Sequence, residues 1–399
     1  MAVIAISASA MGQIKDEGSP YGAYGLGEMF FGGHAPEAMM GGVGLAYTEP
    51  ACVLSNNPAS YAHLEAPVLQ GSGRLFFRGE RSSTSSSDWS NGGFTGFSLG
   101  VPFGRGKWGL ALGLLPFSDV AYSFDRAEPF EGGTVDNEYR GSGGTSRVFA
   151  GLSRVLWRQH ADTLGNAGHS LTIGANFDFL FGSIEHTRNA IYPTAALYSN
   201  VKAYSSLVLR APTADIGLQF EGQLIPRAAV ARGIKRRAER HAAWVKAWRE
   251  AHPGGTPPNA DRRPREAEAW RYTVGATVVP PTVMNATDVE LVTTFIRGTS
   301  GLESTIDTVQ YNGRVKGTLT IPLAYGIGLS VHDSRWMFTA EMRQRDWSST
   351  KVDVPGYALS GQLLNSTTYA VGGRFTPSFE GNLFQRTTYR FGARYVQDH

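Results

Sequence analysis

The chain has a single cysteine, Cys52, in 399 residues, so no internal disulfide can staple it. It has no apolar run of about 18 residues or more, which excludes a membrane-spanning helix beyond the N-terminus. Charged residues make up only 18% and the net charge is +3, too little to draw a nucleic-acid partner. The sequence also lacks catalytic signatures: no HExxH, no GxSxG elbow and no GxxxxGK[ST] loop. Its nine histidines are scattered, with no pair at metal-ligand spacing on an expected helix. His34 and His63 are therefore expected at surfaces or interfaces, and neither an enzyme nor a bound metal or cofactor is expected.

What the sequence has is alternation. Leu171, Ile173, Ala175, Phe177, Phe179 and Phe181 interleave with Thr172, Gly174, Asn176, Asp178 and Gly182. Trp336, Phe338, Ala340 and Met342 interleave with Thr339, Glu341, Arg343 and Arg345. Tyr389, Phe391, Ala393 and Tyr395 interleave with Arg390, Gly392 and Arg394. Successive strand residues face opposite ways, so each segment is a strand with one greasy face and one small or charged face. Val315 to His332 reads the same way, with Leu319, Ile321, Leu323, Tyr325, Ile327 and Leu329 on one parity. Arg and Glu opposite aromatics imply a wet lumen inside and lipid outside, the pattern of an antiparallel transmembrane β-barrel. The 49 glycines, 16 tyrosines, 21 phenylalanines and 8 tryptophans suit small lumen residues and interfacial girdles.

Residues 1–12 resemble the remnant of a secretory signal, apolar from Ala2 to Ile6 and followed by Ala8-Ser9-Ala10. Residues 13–64 hold little strand pattern and read as a compact, irregular segment with apolar side chains that something must cover. Barrel strands are expected over 65–225 and 270–399, about eleven in number. Segments 82–91, 125–143, 187–197, 280–313 and 348–366 read as long outer loops. Segments 104–107, 158–168, 333–334 and 378–386 read as short periplasmic turns. An odd number of strands leaves open edges, so the sequence is expected to be incomplete at its C-terminus by about three strands.

Residues 226–269 interrupt the strands on the periplasmic side. Arg227, Arg232, Lys235, Arg236, Arg237, Arg240, Lys246 and Arg249 face only Glu239 and Glu250 before Gly254-Gly255. Val230, Ile234, Ala238, Val245 and Trp248 recur at helical spacing, predicting an amphipathic helix. It is either a solvated basic helix or a contact for anionic lipid heads, cell-wall polymer or an acidic periplasmic partner.

Several short motifs then occur in order: Ser19-Pro20-Tyr21 with Tyr24-Gly25-Leu26-Gly27, Met39-Met40-Gly41-Gly42-Val43-Gly44-Leu45-Ala46 and Asn57-Pro58-Ala59. Trp108-Gly109-Leu110-Ala111, Tyr139 to Gly144, Trp347-Ser348 and Thr388-Tyr389-Arg390-Phe391-Gly392-Ala393 follow. In this order, from about residue 19 to the end, the chain resembles the long-chain fatty acid transporter (FadL-like) family of Gram-negative outer membranes. The resemblance implies an N-terminal hatch in a 14-stranded barrel, a hydrophobic ligand bound near the hatch, and sideways exit at a kink in the third strand. On that basis Met29, Phe30, Phe31, Met39 and Met40 are candidate hatch and pocket residues. Leu114, Leu115, Pro116 and Phe117 are the candidate lateral gate, because proline cannot donate its ladder hydrogen bond; the alternative is a proline tolerated at a mild bulge. Asp178, Glu341, Arg343, Arg345, Arg390 and Arg394 are the expected lumen charges. They either capture a ligand carboxylate or brace hatch and wall as an ion-pair network. The expected function is porin-like passive uptake of hydrophobic or amphipathic molecules such as fatty acids. Its rivals are an interaction or secretion-machinery shuttle protein anchored by the barrel, and a soluble all-β protein.

Overall fold

The computed structural model describes residues 20–81, 86–130, 133–159, 168–193, 198–225, 227–253, 270–298, 301–355, 364–378 and 382–397. The expected signal segment and the second half of the basic insertion lie outside these residues. The chain forms one antiparallel sheet of 16 strands and not the eleven expected, since β1, β5, β10 and β14 were not read as separate strands and 315–332 divides between two. A two-residue β1 (Glu28–Met29) and a short α1 (Ala35–Ala38) precede β2 (Val68–Arg81), β3 (Ser86–Phe103), β4 (Trp108–Asp119) and β5 (Tyr122–Phe130). Then come β6 (Gly133–Arg158), β7 (Ser170–Ile191), β8 (Asn200–Ile225), α2 (Arg227–Ala251), β9 (Trp270–Val279) and β10 (Thr282–Arg297). The chain continues through β11 (Glu303–Ile321), β12 (Ala324–His332), β13 (Trp336–Asp346), β14 (Lys351–Asp353), β15 (Asn365–Phe375), α3 (Leu383–Arg386) and β16 (Tyr389–Gln397). The wall runs β16-β15-β13-β12-β9-β8-β7-β6-β4-β3-β2, and β10, β11 and β14 extend it beside β8. Among the described residues β2 and β16 do not pair, so the sheet does not close by backbone ladders.

The facing follows the alternation. Phe338 (47% exposed), Ile327 (58%) and Phe179 (41%) point outward, while Asp178 and Glu341 are buried on the opposite face. The outer face is thus apolar along β7, β12 and β13, as lipid contact requires.

Three expectations are corrected. First, Val315 to His332 is not one strand with one greasy face. It breaks at Pro322-Leu323, and the break shifts the inward parity by one residue. Leu319 and Ile321 are buried inside, while Tyr325, Ile327 and Leu329 face out. A one-residue slip turns every following side chain to the other face. Second, 125–143 and 280–313 are mostly paired strand and not loop: β5 pairs β6 from Tyr122↔Gly141 to Phe130↔Gly133, and β10 pairs β11 from Thr282↔Ile321 to Arg297↔Glu303. Polar residues on both faces hide these ribbons from a hydropathy pattern, whereas backbone pairing needs no particular side chain. Third, the interior is not uniformly wet. Leu180, Ile184, Leu207, Leu209, Met284 and Leu319 form a buried apolar cluster inside one half of the wall. The inner face of β8 shows the gradient, running from Leu207, Leu209 and Ala211 to Asp215, Gly217 and Gln219.

Residues 20–64 form an inner segment, the stopper: most of it lies against the polar half, and its start reaches the apolar half, where Leu26 joins the buried cluster and Ala23 packs against it. Its backbone meets the wall where the inward residue is glycine. A Cβ on Gly275 would stand 1.8 Å from the Leu45 carbonyl oxygen, and one on Gly392 would stand 2.1 Å from the Met40 carbonyl carbon. The wall supplies polar partners between these contacts. Gln219 Nε2 donates to the Leu45 and Tyr47 carbonyls, Ser330 to that of Ala46, and Tyr61 to Asn176. The stopper also reaches both unpaired edges: His34 meets Ser72 of β2, and the Arg394 guanidinium of β16 lies 4.6 Å from the Phe31 ring centre.

Candidate functional site

A cavity of about 190 Å³ lies at the level where the inner face passes from polar to apolar. Met29, Phe30 and Phe31 form its stopper side; Leu115, Pro116 and Phe117 form its wall on β4. Leu180 and Ile321 face it from the apolar cluster. Of the candidate pocket residues, Met39 and Met40 lie elsewhere: Met39 is 58% exposed, and Met40 packs with Val43, Tyr47, Leu54 and Met337. Leu114 pairs with Phe97 but does not line the cavity.

Prolines mark the level of the cavity. The inward parity of β4 shifts between Leu115 and Ser118, with a bulge at Pro116 against β6. The β9–β10 path shifts at Pro280-Pro281, and the β11–β12 path at Pro322. A proline lacks the ladder donor, so each is a natural place for a strand to break step. Val279, Thr282, Ile321 and Ala324, which flank two of these breaks, all line the cavity.

The wall divides at the same level. β3 and β4 pair only from Phe97↔Leu114 to Phe103↔Trp108. Beyond Leu114, β4 loses β3 and takes the stopper instead, with Glu28↔Asp119 and Met29↔Ser118 in register. The Phe30 N–H donates to the Phe117 carbonyl at 2.9 Å. The unpaired edge of β4, which would otherwise leave backbone groups orphaned, is thus covered by a piece of the stopper.

The charges fall into three groups. Arg147 on β6 lies between Asp178 (3.8 Å) and Asp215 (2.9 Å) at the cavity wall. Glu341 holds the stopper: its Oε2 accepts from the Gly44 and Leu45 N–H groups at 2.8 and 2.9 Å. Arg343 pairs with Glu341 and reaches the Gly42 carbonyl. Glu49 of the stopper pairs in turn with Arg374 and Arg390. Arg345 differs from the rest. It lines the cavity, its guanidinium carbon is 5.8 Å from the Phe117 ring centre and 5.1 Å from that of Trp347, and among the described residues it makes no ion pair. Arg147, Asp215 and Glu37 were not singled out from the sequence. The first two stand on the inward parity of alternating segments, so a signal existed; Glu37 sits in an irregular segment with none.

The stopper has its own buried polar centre. The Glu37 carboxylate accepts from the His34 and Asn56 N–H groups at 3.0 and 3.2 Å. Burial raises its pKa to about 7, against the lowering pull of those bonds. The His34 ring is fully buried between Ser72 (2.9 Å) and Ser98 (2.6 Å) of the wall, and burial lowers its pKa to about 4.

Comparison with known proteins gives a family. No curated protein matches. Among solved structures, the Pseudomonas putida toluene transporter TodX superposes with a TM-score of 0.45 at 13% identity, covering 93% of this chain and 85% of that one. A TodX deltaS2S3 mutant described as a monoaromatic hydrocarbon channel superposes with a TM-score of 0.46 at 15% identity, covering 92% and 84%. The family model described as BamG matches residues 1–241 and 264–399, nearly the whole length, and the chain belongs to the BamG family.

Proposed function

We propose that the protein is an outer-membrane channel of a Gram-negative bacterium for passive uptake of hydrophobic or amphipathic small molecules, long-chain fatty acids among them. The observation that carries this reading is the cavity walled by Met29, Phe30 and Phe31 on one side and by the unzipped part of β4 on the other. A ligand enters through the apolar half of the interior, where each buried CH₂ gains about 0.8 kcal/mol. Arg345, without an ion pair among the described residues and framed by aromatic faces, holds an anionic head, while the tail lies against Leu115, Phe117 and Ile321. The cavity is smaller than the ~300–1,000 Å³ of typical ligand pockets, so a long chain needs the stopper to withdraw. Withdrawal of β1 from β4 opens the wall between β3 and β4 near Pro116, and the ligand leaves sideways into the bilayer without crossing water.

The test is a reversible lock. Met29 and Ser118 face each other across the β1–β4 ladder, so Met29→Cys with Ser118→Cys, in a Cys52→Ser background, ties stopper to wall. In proteoliposomes the oxidised form should pass no labelled fatty acid, and reduction should restore the flux. Equal flux in both states would refute withdrawal at this seam. An Arg345→Met variant should lose fatty acid preferentially over an uncharged hydrocarbon.

A second reading is an interaction or secretion-machinery shuttle protein that uses the barrel as an anchor. The observation favouring it is α2, a long basic helix with no substantial packing against the strands, which a diffusion channel does not need. Affinity capture from detergent extracts, with and without residues 226–269, separates the two.

A further inference from the structure

The helix α2 leaves the wall at a particular height. β8 ends at Ile225 and α2 begins at Arg227. At this end of the sheet the outward face mixes apolar residues with arginine: Leu156 and Trp157 on β6 and Leu224 and Ile225 on β8 are each at least 40% exposed, and exposed Arg154 lies 4.8 Å from the Trp108 ring centre. The neighbouring strands add stacked pairs, Phe103 with Trp108 and Trp336 with Phe375. Such a band of Trp and Phe at a barrel rim marks the water–hydrocarbon boundary. The root of α2 therefore stands at headgroup level.

The helix carries eight Lys and Arg against two Glu, a net of +6 over 25 residues. Arg232, Lys235, Arg236, Arg240, Lys246 and Arg249 are exposed. Trp244 is 45% exposed, with His241 stacked on it, and Trp248 stacks on His252. Ala238, His241, Val245 and Trp248 follow one another at three- and four-residue steps, so the less charged side is a stripe with a tryptophan edge. Among the described residues the strands give α2 no substantial packing.

We infer that α2 is a membrane-surface helix that binds the anionic phospholipid headgroups of the leaflet it faces, with Trp244 and Trp248 entering the headgroup–acyl boundary. This rests on the membrane placement proposed above. The chemistry is that of interfacial helices: apolar area and basic charge act together, each Lys or Arg near an anionic surface contributing about 1 kcal/mol. An acidic soluble protein would meet the same charge, but the height of the helix root and its tryptophans favour lipid.

The full chain is reconstituted into nanodiscs of phosphatidylcholine alone or mixed with phosphatidylglycerol. An environment-sensitive dye sits on Trp244→Cys in a Cys52→Ser background. In anionic discs the dye should shift to the blue and be quenched by nitroxide lipid tails. Salt raised to about 1 M, where the screening length falls to about 3 Å, should reverse both effects. Arg232→Glu with Lys235→Glu, Arg236→Glu and Arg240→Glu should abolish them. A water-exposed dye in inserted, anionic discs overturns the inference and leaves the channel untouched. Equal shifts in both disc types overturn the charge argument, and a shift seen only on adding polyglutamate assigns the helix to an acidic protein instead. A chain that fails to enter either disc removes the membrane placement and this inference together.

Discussion

Two buried groups in the stopper oppose each other in pH. The His34 pKa falls from an ordinary 6.5 to about 4, so its contribution to docking is full above 6.5 and is lost as pH drops towards 4. Glu37 rises from 4.5 to about 7, so its contribution is full below 4.5 and is lost as pH climbs towards 7. Between about 4.5 and 6.5 the two slopes cancel. Hydrogen exchange of the stopper amides should therefore show a plateau of protection there, with weaker protection on both sides. Glu37→Gln should remove the loss on the alkaline side and turn the plateau into a rise up to about pH 6.5, because the His34 slope is then unopposed. Protection that still falls towards neutrality in that variant would place the titration elsewhere. The glycines make a second prediction at the same scale. Gly275→Ala drives a methyl into the Leu45 carbonyl, whereas Gly73→Ala meets nothing nearer than 3.6 Å. The first should cost about 1–3 kcal/mol by overpacking and loosen the stopper in proteolysis; the second should leave protease sensitivity unchanged.

At the scale of the element, strand facing was legible wherever one strand ran unbroken. The parity of Phe177, Phe179 and Phe181, or of Trp336 and Phe338, is the parity found outside. It failed at Pro322, because alternation predicts facing only while the chain stays in step, and the apolar residues on either side kept the same parity through a one-residue slip. It failed too in the β5–β6 and β10–β11 ribbons, where polar residues occupy both faces. Arg147, Asp178 and Asp215 share one patch from β6, β7 and β8, an arrangement that needs register and that no single segment reveals. Removing the cation alone should hurt most. Arg147→Met leaves two carboxylates facing each other in a mostly buried site and should cost about 3–5 kcal/mol, read as an earlier unfolding midpoint in detergent. Adding Asp178→Asn and Asp215→Asn to it should recover most of that loss. A triple variant less stable than Arg147→Met would mean that the carboxylates act through partners other than this arginine.

For the whole molecule the question is what surrounds the wall. A soluble sheet of this size would leave Leu75, Phe77, Phe94, Phe177, Ile327 and Phe391 against water, each more than half exposed, more large apolar side chains than soluble monomers present. Lipid removes the objection and creates another, since hydrocarbon tolerates no unpaired strand edge. The stopper answers part of it: Gly41, Phe31 and His34 bring residues 31–41 against β16 and β2. The same segment that packs inside the sheet thus also stands beside the edges of β2 and β16, which ties its docking to the integrity of the wall. The medium can be read from one substitution. Ile327 is 58% exposed on the outer face of β12, where Ile→Arg in a water-soluble protein would change stability little. In a bilayer the same change should cost about 2–4 kcal/mol near the midplane. Urea refolding into vesicles, compared with refolding into detergent, should show that penalty in the vesicles and a smaller one in micelles. No difference between Ile327→Arg and the native chain in vesicles would mean that this face does not meet lipid.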